Sequence, residues 1–213
     1  MPQRVLAFET STRRGSCALW EGERLVYGAS HERLNAHGEQ LPMLLEQCMA
    51  ETGWGQSSLD RVAVGIGPGS FTGLRVGIAL AQGIALGLGR PLVGVGSLEA
   101  LAWEKPGVVR TALIDARRGE LFVQAFGRDD LPLTEAVALP RGEVPDWISQ
   151  RVAETPEWIG EPASELALSA SSALPHAARV AELALGREAL PFEPLYVRAA
   201  DAIKPDLPPS PLG

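Results

Sequence analysis

The sequence is poor in the residues from which metal centres and disulfides are built. Its 213 residues include two cysteines and three histidines. Cys17 and Cys48 are far apart and lack CxxC spacing, so we interpret them as buried thiols of a reducing compartment. The segment HERLN (His31–Asn35) begins like the zincin motif HExxH, but asparagine stands where the second histidine ligand belongs. Metalloprotease chemistry is therefore not expected, and no GxSxG segment indicates a serine hydrolase.

Positive charge is also scarce. The 19 lysines and arginines stand against 26 aspartates and glutamates, which gives a formal net charge of −7, and no Lys/Arg cluster is longer than a pair. Non-specific binding to nucleic acids depends on many basic side chains that neutralise phosphates. The chain by itself is thus a poor candidate for holding RNA or DNA.

Long hydrophobic runs are missing as well. The most apolar run, Leu74–Leu88, contains Arg75 and Gln82 and is too short to span a bilayer. The first residues lack the apolar stretch of a signal peptide. We expect a soluble cytoplasmic protein without membrane contact.

The order of predicted elements indicates an α/β layered lobe. Three strand-like segments follow one another within residues 4–30, and residues 37–52 carry apolar side chains at helical spacing. A short apolar strand (Arg61–Gly67), a glycine-rich loop and a helix from about Gly73 to Gly87 come next. A further strand and a short helix capped by Ser97 complete the lobe.

A second lobe is predicted in the other half of the chain, where a short internal repeat begins. FETSTRRG places Glu9 at a strand end before an RRG triplet, and LIDARRG places Asp115 in the same way before another. The triplets are about half the chain apart, which fits two related lobes. We expect an N-terminal lobe at 1–104, a smaller C-terminal lobe at 105–192 and a tail at 193–213 with a Pro-rich end.

The segment VGIGPGSFTGLRVGIA (Val64–Ala79) raises the question of a phosphate-binding loop. It lacks the GK[ST] end of a Walker A motif, and its glycine spacing departs from the GxGxxG of dinucleotide-binding proteins. Two interpretations remain. Either the backbone N–H groups of the loop bind an anion, or its glycines permit positive φ angles and close packing of the next helix.

The helix after this loop predicts an interface. Small residues recur every four positions from Gly73 to Gly89, and the other faces carry Leu74, Val76, Ile78, Leu80, Ile84 and Leu86. A helix that is apolar nearly all round is buried on more than one side. We expect one side to pack on its own sheet and another on a second subunit; burial within one chain is the alternative.

Five segments in order resemble one protein family. GPGSFTGLRVG (Gly67–Gly77) resembles the hallmark segment of the TsaB family, also called YeaZ, and LAFETST, GVGSLEALA, IDARRGELF and PLYVRAADA agree with it in order and spacing. The resemblance spans nearly the whole chain. It implies a two-lobed α/β fold of the actin/Hsp70/sugar-kinase type, in which each lobe is an RNase H-like unit and the second is reduced.

The resemblance also implies a function. TsaB proteins are non-catalytic scaffold and activator subunits. They pair with the related catalytic subunit TsaD and act with the ATPase TsaE to transfer a threonylcarbamoyl group to the adenosine next to the anticodon of tRNAs that read ANN codons. We therefore expect a heterodimer with a TsaD-like subunit, a homodimer when that subunit is absent, and only indirect contact with tRNA. ATP and metal are expected on the partner subunits.

The resemblance also has implications for single residues of a metal or nucleotide site. The catalytic relatives carry an HxxxH metal pair where this sequence has Ser97 and Leu101, neither of which is a useful ligand for iron or zinc. No catalytic or metal-binding residue is therefore assigned. Candidates for nucleotide contact are Glu9, Thr10 and Ser11 at the end of the first strand, although Glu9 stands where relatives commonly have aspartate. Its carboxylate more simply accepts backbone hydrogen bonds at a turn.

The expected partner surface lies on the helices at about 37–52 and 73–88. Its predicted contact residues are Leu41, Leu44, Leu45, Arg75, Ile78, Ala79 and Gln82. Two functions of other classes remain as alternatives. One is a stand-alone nucleotide-binding phosphotransferase or ATPase with the same fold, and the other is a peptidase, against which the missing motifs argue.

Overall fold

Two five-stranded mixed sheets form the framework of the described part of the chain. The computed structural model describes residues 2–166, 170–171 and 173–197. The first sheet comprises β1 (Arg4–Glu9), β2 (Gly15–Glu21), β3 (Arg24–His31), β4 (Arg61–Gly65) and β5 (Leu92–Val95), in the order β3-β2-β1-β4-β5. Neighbours among β1, β2 and β3 are antiparallel, whereas β4 and β5 run parallel to β1.

The second sheet repeats this connectivity. Its strands are β6 (Arg110–Arg117), β7 (Glu120–Phe126), β8 (Val137–Pro140), β9 (Glu157–Ile159) and β10 (Ala170–Ser171), in the order β8-β7-β6-β9-β10. The first strand of each unit is thus central, with antiparallel neighbours on one side and parallel neighbours on the other. Because β9 and β10 are only three and two residues long, the second unit is the smaller.

The repeated RRG triplet lies at equivalent hairpins of the two sheets. Arg13 and Arg14 end the turn before β2, which begins at Gly15, and Arg118 and Gly119 form the turn between β6, which ends at Arg117, and β7. The internal repeat in the sequence therefore reflects two units of the same strand order. The two-lobed α/β fold with a reduced second lobe is confirmed, and the boundaries at 104/105 and 192/193 stay predictions.

Among the residues that the structure describes, five helices and three 3₁₀ turns surround the sheets. The helices are α1 (His37–Thr52), α2 (Phe71–Leu88), α3 (Ser97–Ala102), α4 (Val144–Ser149) and α5 (Ala177–Ala184), and the 3₁₀ turns are Gln56–Ser58, Arg141–Glu143 and Glu161–Leu166. Alternate residues of a strand point to opposite faces of its sheet. Leu6 and Phe8 of β1 therefore pack under α1 and α2, whereas Val5 and Ala7 pack under α5. Both faces of β1 are covered, and the strand is continuously apolar from Val5 to Phe8 for that reason.

Helix α5 returns the chain to the first lobe. It lies within the predicted second-lobe range 105–192, yet Ala177, Val180 and Ala184 pack against the first sheet. The physical reason is that α1 and α2 cover only one face of that sheet. The opposite face would expose apolar residues if α5 did not cover it.

Helix α3 lies between the two sheets. Leu98 and Leu101 pack against Ile114 and Phe122 of the second sheet, whereas Ala100 packs in the cluster under α5. The predicted Ser97 cap is corrected, because Gly96 holds the N-cap position and Ser97 is the first helical residue. The Ser97 side chain is therefore available for another contact.

The small-residue stripe of α2 faces the end of β1. A side-chain carbon at Gly73 would overlap the Thr10 carbonyl oxygen, and one at Gly77 would overlap the Thr10 side chain. At Gly83, on another face of α2, such a carbon would meet nothing within 4 Å. The stripe thus serves close packing within this chain, and the exposed face of α2 is a separate one.

We expect the same substitution at two positions of α2 to have opposite effects. Gly77→Ala should lower the free energy of unfolding by about 1–3 kcal/mol, because the added methyl group overpacks against Thr10. Gly83→Ala should raise it by about 0.5–1 kcal/mol, since alanine favours helix and the position is open. Urea unfolding of both variants measures the difference. Equal effects would show that α2 does not approach Thr10 as described.

Candidate functional site

The carboxyl end of β1 is tied to the glycine-rich loop and to α3. Oε1 of Glu9 accepts a hydrogen bond from the Ser11 backbone N–H (2.6 Å), and Oε2 accepts one from the Ser97 hydroxyl (2.9 Å). Ser97 Oγ accepts from the Gly67 N–H (3.2 Å), and the Ser97 N–H donates to the Gly67 carbonyl (2.7 Å). We call Glu9, Gly67 and Ser97 the strand-end joint.

Glycines of the loop make room for the residues that end β1. A side-chain carbon at Gly65 would overlap the Glu9 carboxylate, and one at Gly69 would overlap the Ser11 backbone. The Ser70 N–H donates to the Ser11 carbonyl (2.7 Å), which draws the loop onto the strand end. This geometry supports the packing interpretation of the loop rather than the anion-binding one.

Glu9 is a carboxyl group shielded from water. Its side chain is 0% exposed. Burial raises the pKa of Glu9 above its ordinary value because the charged form loses its hydration, and the hydrogen bonds from Ser11 and Ser97 oppose this effect. The folded protein therefore favours the protonated form of this residue more than the unfolded chain does.

The three residues predicted to contact a nucleotide come together here, but they face inward. Glu9, Thr10 and Ser11 are all buried. Both Glu9 oxygens accept hydrogen bonds within the chain, and the Thr10 hydroxyl donates to the Gly73 carbonyl (2.8 Å). The Ser11 hydroxyl has no partner among the described residues, but it is buried too. A nucleotide could reach these groups only if the loop separated from the strand end, so nucleotide contact stays a prediction.

The positions that correspond to the metal pair of the catalytic relatives do not fit a metal ion. Ser97 is 0% exposed, and its hydroxyl is bonded to Glu9 and Gly67. Leu101 is 0% exposed in the apolar cluster between the two sheets. Across residues 2–166, 170–171 and 173–197, no group of three or more His, Cys, Asp or Glu side chains could hold a metal ion.

The second lobe carries its counterpart of Glu9 at the surface. Asp115 is exposed, and its Oδ1 accepts a hydrogen bond from the Arg117 N–H (2.9 Å) and lies 3.3 Å from an Arg141 nitrogen. This carboxylate supports the turn of the β6–β7 hairpin. Asp115 is thus an acid at a strand end whose carboxylate accepts a backbone hydrogen bond at a turn.

The seven residues predicted to contact a partner do not share one surface. Leu41, Leu44 and Ile78 are buried in this chain's own core, where they hold α1 and α2 on the first sheet. This part of the prediction is corrected, because these side chains are not available to a partner. The apolar periodicity of a helix identifies the face that is buried, and here that face packs on the sheet.

The remaining four residues lie at or near the surface. Leu45 of α1 is half-buried, and Arg75, Ala79 and Gln82 of α2 are exposed. Leu86 continues their line along α2 and is 86% exposed, the most of any large apolar side chain among the described residues. Leu86 follows Gln82 by four residues, a spacing that places both on the same helix face, so the sequence contains a signal for including it. We call Arg75, Ala79, Gln82 and Leu86 the α2 surface.

A cavity of about 250 Å³ lies on another side of α2, and none of the four residues of the α2 surface lines it. It opens between α1 and α2, and its lining includes Leu45, Met49, Gly83, Ile84 and Leu88. Helix α2 (Phe71–Leu88) has 18 residues and is longer than the run Leu74–Leu88, so the expectation that it is too short to span a bilayer is corrected. By length and composition it is the one helix in the described part of the chain that could cross a membrane, a property that core helices of soluble proteins share. Its buried face packs on the first sheet, and its other side leaves apolar groups in contact with solvent.

Sequence comparisons place relatives of this chain in tRNA modification. The profile of the tRNA N6-adenosine threonylcarbamoyltransferase family, TsaD, matches residues 32–137. The chain is 36% identical over 148 residues to the tRNA threonylcarbamoyladenosine biosynthesis protein TsaB of Escherichia coli K12, across 64% of this chain and 63% of that protein. It is 30% identical over 229 residues to the protein of the same name from Haemophilus influenzae, across 91% of this chain and 93% of that protein.

Solved structures share the fold. YeaZ from Pseudomonas aeruginosa superimposes with a TM-score of 0.72 at 28% identity, across 85% of this chain and 90% of that one. A protein described as uncharacterised, with similarity to peptidase YeaZ from Pseudomonas aeruginosa, superimposes with a TM-score of 0.78 at 28% identity, across 92% and 100%. The similarity therefore extends over both lobes.

Replacing the buried acid by its amide tests the strand-end joint. Glutamine keeps an acceptor for the Ser11 N–H and can donate to Ser97 Oγ, but it carries no charge. Because folding raises the pKa of Glu9, the stability contributed by its protonated form is present below about pH 4.5 and is lost as the pH rises through the folded value. We expect Glu9→Gln to be more stable than the wild type at pH 7.5, by an amount that shrinks as the pH falls to 4.

Unfolding in urea at several pH values measures this difference. Glu39→Gln, at an exposed position of α1, is the matched control and should change stability by less than about 0.5 kcal/mol at each pH. A Glu9→Gln variant that is less stable than the wild type throughout would contradict the buried position of the carboxyl group.

Proposed function

The chain belongs to the TsaB (YeaZ) family of tRNA threonylcarbamoyladenosine biosynthesis proteins, and from this we propose that it acts as a non-catalytic subunit in the formation of that modification. Its role is to scaffold and activate a TsaD-like subunit. That subunit transfers the threonylcarbamoyl group to the adenosine next to the anticodon of tRNAs that read ANN codons.

One observation carries the non-catalytic part of the proposal. The TsaD profile matches residues 32–137, a range that includes Ser97 and Leu101. The catalytic relatives that the sequence resembles have metal-binding histidines at these two positions. Here the serine hydroxyl is used in the strand-end joint and the leucine lies in the apolar cluster between the sheets. A fold that keeps the family's architecture but uses these positions for packing supports a role without its own reaction centre.

The partner is proposed to bind at the α2 surface. Exposed apolar side chains on a helix are typical of protein interfaces; α2 carries the exposed Leu86 and, on another side, lines an apolar cavity together with α1. The same surface serves a homodimer when the TsaD-like subunit is absent.

A TsaE-like ATPase joins the complex, and ATP and metal are bound by the partner subunits. With a net charge of −7, the chain leaves tRNA contact to its partner in the cytoplasm.

A charge on the α2 surface should abolish the heterodimer. Ala79→Glu places a carboxylate at an exposed position, so the fold is kept while burial against a partner becomes unfavourable. We expect the affinity for the purified TsaD-like subunit to fall at least about thirtyfold, as for a binding hot spot, with an unchanged circular dichroism spectrum. Titration calorimetry measures the affinity.

Ala153→Glu is the matched control for this variant. Ala153 is exposed in the second lobe, away from α1 and α2, and the same substitution there should leave the affinity unchanged. If Ala79→Glu binds the partner as tightly as Ala153→Glu does, the α2 surface is not the interface.

Depletion of the chain in its own host tests the function itself. We expect threonylcarbamoyladenosine in bulk tRNA, measured by nucleoside mass spectrometry, to fall on depletion and to return on re-expression. A level that is unchanged here but falls when the TsaD-like subunit is depleted would contradict the proposal. Micromolar binding of ATP by the isolated chain would then point to the phosphotransferase alternative.

A further inference from the structure

Helix α2 carries one charged side chain, and that side chain is exposed. Among the 18 residues of the helix, Arg75 is the only Asp, Glu, Lys or Arg. The other members of the α2 surface, Ala79, Gln82 and Leu86, are uncharged. Arg75 is therefore an isolated positive charge on the surface that we propose for partner binding.

An aromatic ring and a phenol hydroxyl fix the guanidinium group of Arg75. Its Cζ lies 3.7 Å from the centroid of the Phe71 ring, one helical turn earlier, which is a cation–π contact. The Tyr196 ring packs against the same Phe71 ring, with centroids 5.1 Å apart, and its hydroxyl accepts a hydrogen bond from the Arg75 Nε–H (3.3 Å). The guanidinium is thus held at a defined position although Arg75 is exposed.

Tyr196 is itself tied to the first lobe. It belongs to residues 192–197, which we call the closing segment. The Leu195 N–H donates to the carbonyl of Ile66, just after β4 (2.8 Å), and the Phe192 side chain packs against the core cluster under α1 and α2. The closing segment therefore holds Tyr196 beside α2, although the two are remote in sequence.

The terminal nitrogens of this guanidinium have no partner in the part of the chain that the structure describes. There the Nε–H is the one N–H group of the Arg75 side chain that makes a hydrogen bond, and no described carboxylate forms an ion pair with it. Arg13 and Arg14, in contrast, are both paired with Glu32. Two parallel N–H groups of a guanidinium match the two oxygens of a carboxylate. The open N–H groups of Arg75 are therefore suited to a carboxylate from outside.

Burial of Arg75 against a partner calls for an acidic group on that partner. An arginine keeps its charge at physiological pH, and removing a charge from water without an opposite charge makes binding unfavourable. The α2 surface contains no acidic residue of its own. The counter-charge therefore has to come from the subunit that covers the surface.

We propose that Arg75 is a preordered receptor for a carboxylate of the TsaD-like subunit, and that Phe71 and Tyr196 are its positioning residues. This inference rests on the proposed function, because it names the chemical group that the partner contributes at the α2 surface. A side-chain carboxylate is favoured over a phosphate of tRNA, because the other residues of the α2 surface are uncharged and the chain has a net charge of −7.

Arg75→Met separates this proposal from a partner that covers Arg75 with apolar groups. Methionine keeps an unbranched side chain but has no charge. If a carboxylate faces Arg75, the variant leaves that carboxylate buried and unpaired, and we expect the affinity for the purified TsaD-like subunit to fall at least about thirtyfold in titration calorimetry. If an apolar group faces Arg75, the variant removes a costly buried charge and binds as tightly as the wild type or more tightly, which would overturn the proposal.

Arg151→Met is the matched control. Arg151 is an exposed arginine of the second lobe whose Cζ lies 4.5 Å from the centroid of the Trp147 ring, so it repeats the cation–π contact away from the α2 surface. The substitution there should leave the affinity unchanged, and both variants should keep the wild-type circular dichroism spectrum. An equal loss of affinity in both variants would show a general effect of net charge and would contradict a site at Arg75.

The salt dependence of binding distinguishes a carboxylate from a neutral acceptor. Dissolved ions screen a charge pair, since the Debye length falls from about 10 Å at 0.1 M salt to about 3 Å at 1 M. We expect the wild type to lose affinity as the NaCl concentration rises over this range, and Arg75→Met to lose less. Equal salt dependence of the two chains would indicate a neutral acceptor, such as a backbone carbonyl, and would refute the proposed carboxylate.

Tyr196→Phe tests the positioning role. It removes the hydroxyl that accepts from Arg75 and keeps the ring that packs on Phe71. We expect the affinity to fall about two- to tenfold, the factor for one net hydrogen bond. In the Arg75→Met background the same change should have no further effect, because the group that Tyr196 positions is gone. A loss of the same size in both backgrounds would show that Tyr196 acts independently of Arg75.

These measurements keep the inference distinct from the proposed function. If the wild type itself does not bind the TsaD-like subunit, the proposed function fails and the inference fails with it. If the wild type binds and Arg75→Met binds equally well, the receptor role alone is wrong. If Arg75→Met binds the subunit normally but its complex loses affinity for tRNA, Arg75 holds a phosphate, and the proposed carboxylate is again overturned.

Discussion

The hydrogen bond between the Ser97 hydroxyl and the buried Glu9 carboxylate is the contact on which the first lobe depends. It joins residues 88 positions apart and brings the end of β1, the glycine-rich loop and the start of α3 to one point. Because no side chain fits between them, the loop uses glycine at Gly65 and Gly69, and α2 uses glycine at Gly77. The loop's glycine content is thus a consequence of how closely the elements approach.

The same contact supports the proposal that the chain acts without a reaction centre of its own. In the two-lobed α/β arrangement the end of the first strand is where a carboxylate could hold a bound group. Here Glu9 is used internally, and Leu101 lies in the apolar cluster between the sheets. On the α2 surface, Leu86 is the most exposed large apolar side chain among the described residues. In the proposed function the protein therefore acts by binding its partner subunit at the α2 surface.

Local patterns in the sequence predicted the elements well, and contacts between distant residues escaped them. Apolar spacing located α1 at 37–52, and Gly53 ends it with a φ of 65°. The start of α2 at Phe71, two residues early, reflects the Ser70 cap, whose side chain accepts from the Gly73 N–H. Spacing could not reveal that Ser97 bonds to Glu9 rather than capping α3, because that partner is remote in sequence. Spacing also does not show which apolar face the sheet covers. For that reason it predicts partner contacts for Leu41, Leu44 and Ile78, which pack on the sheet.

The measurement that tests this account most directly is the threonylcarbamoyladenosine content of tRNA in host cells whose only copy of the chain carries Glu9→Gln. The substitution keeps the acceptor for the Ser11 N–H, reverses the direction of the hydrogen bond to Ser97 and removes the carboxylate. If Glu9 is a structural residue, the modification stays at its wild-type level. If the modification falls to the level of depleted cells while the variant protein is folded and present in normal amount, the carboxylate takes part in the chemistry, and the account of a subunit without a reaction centre is wrong.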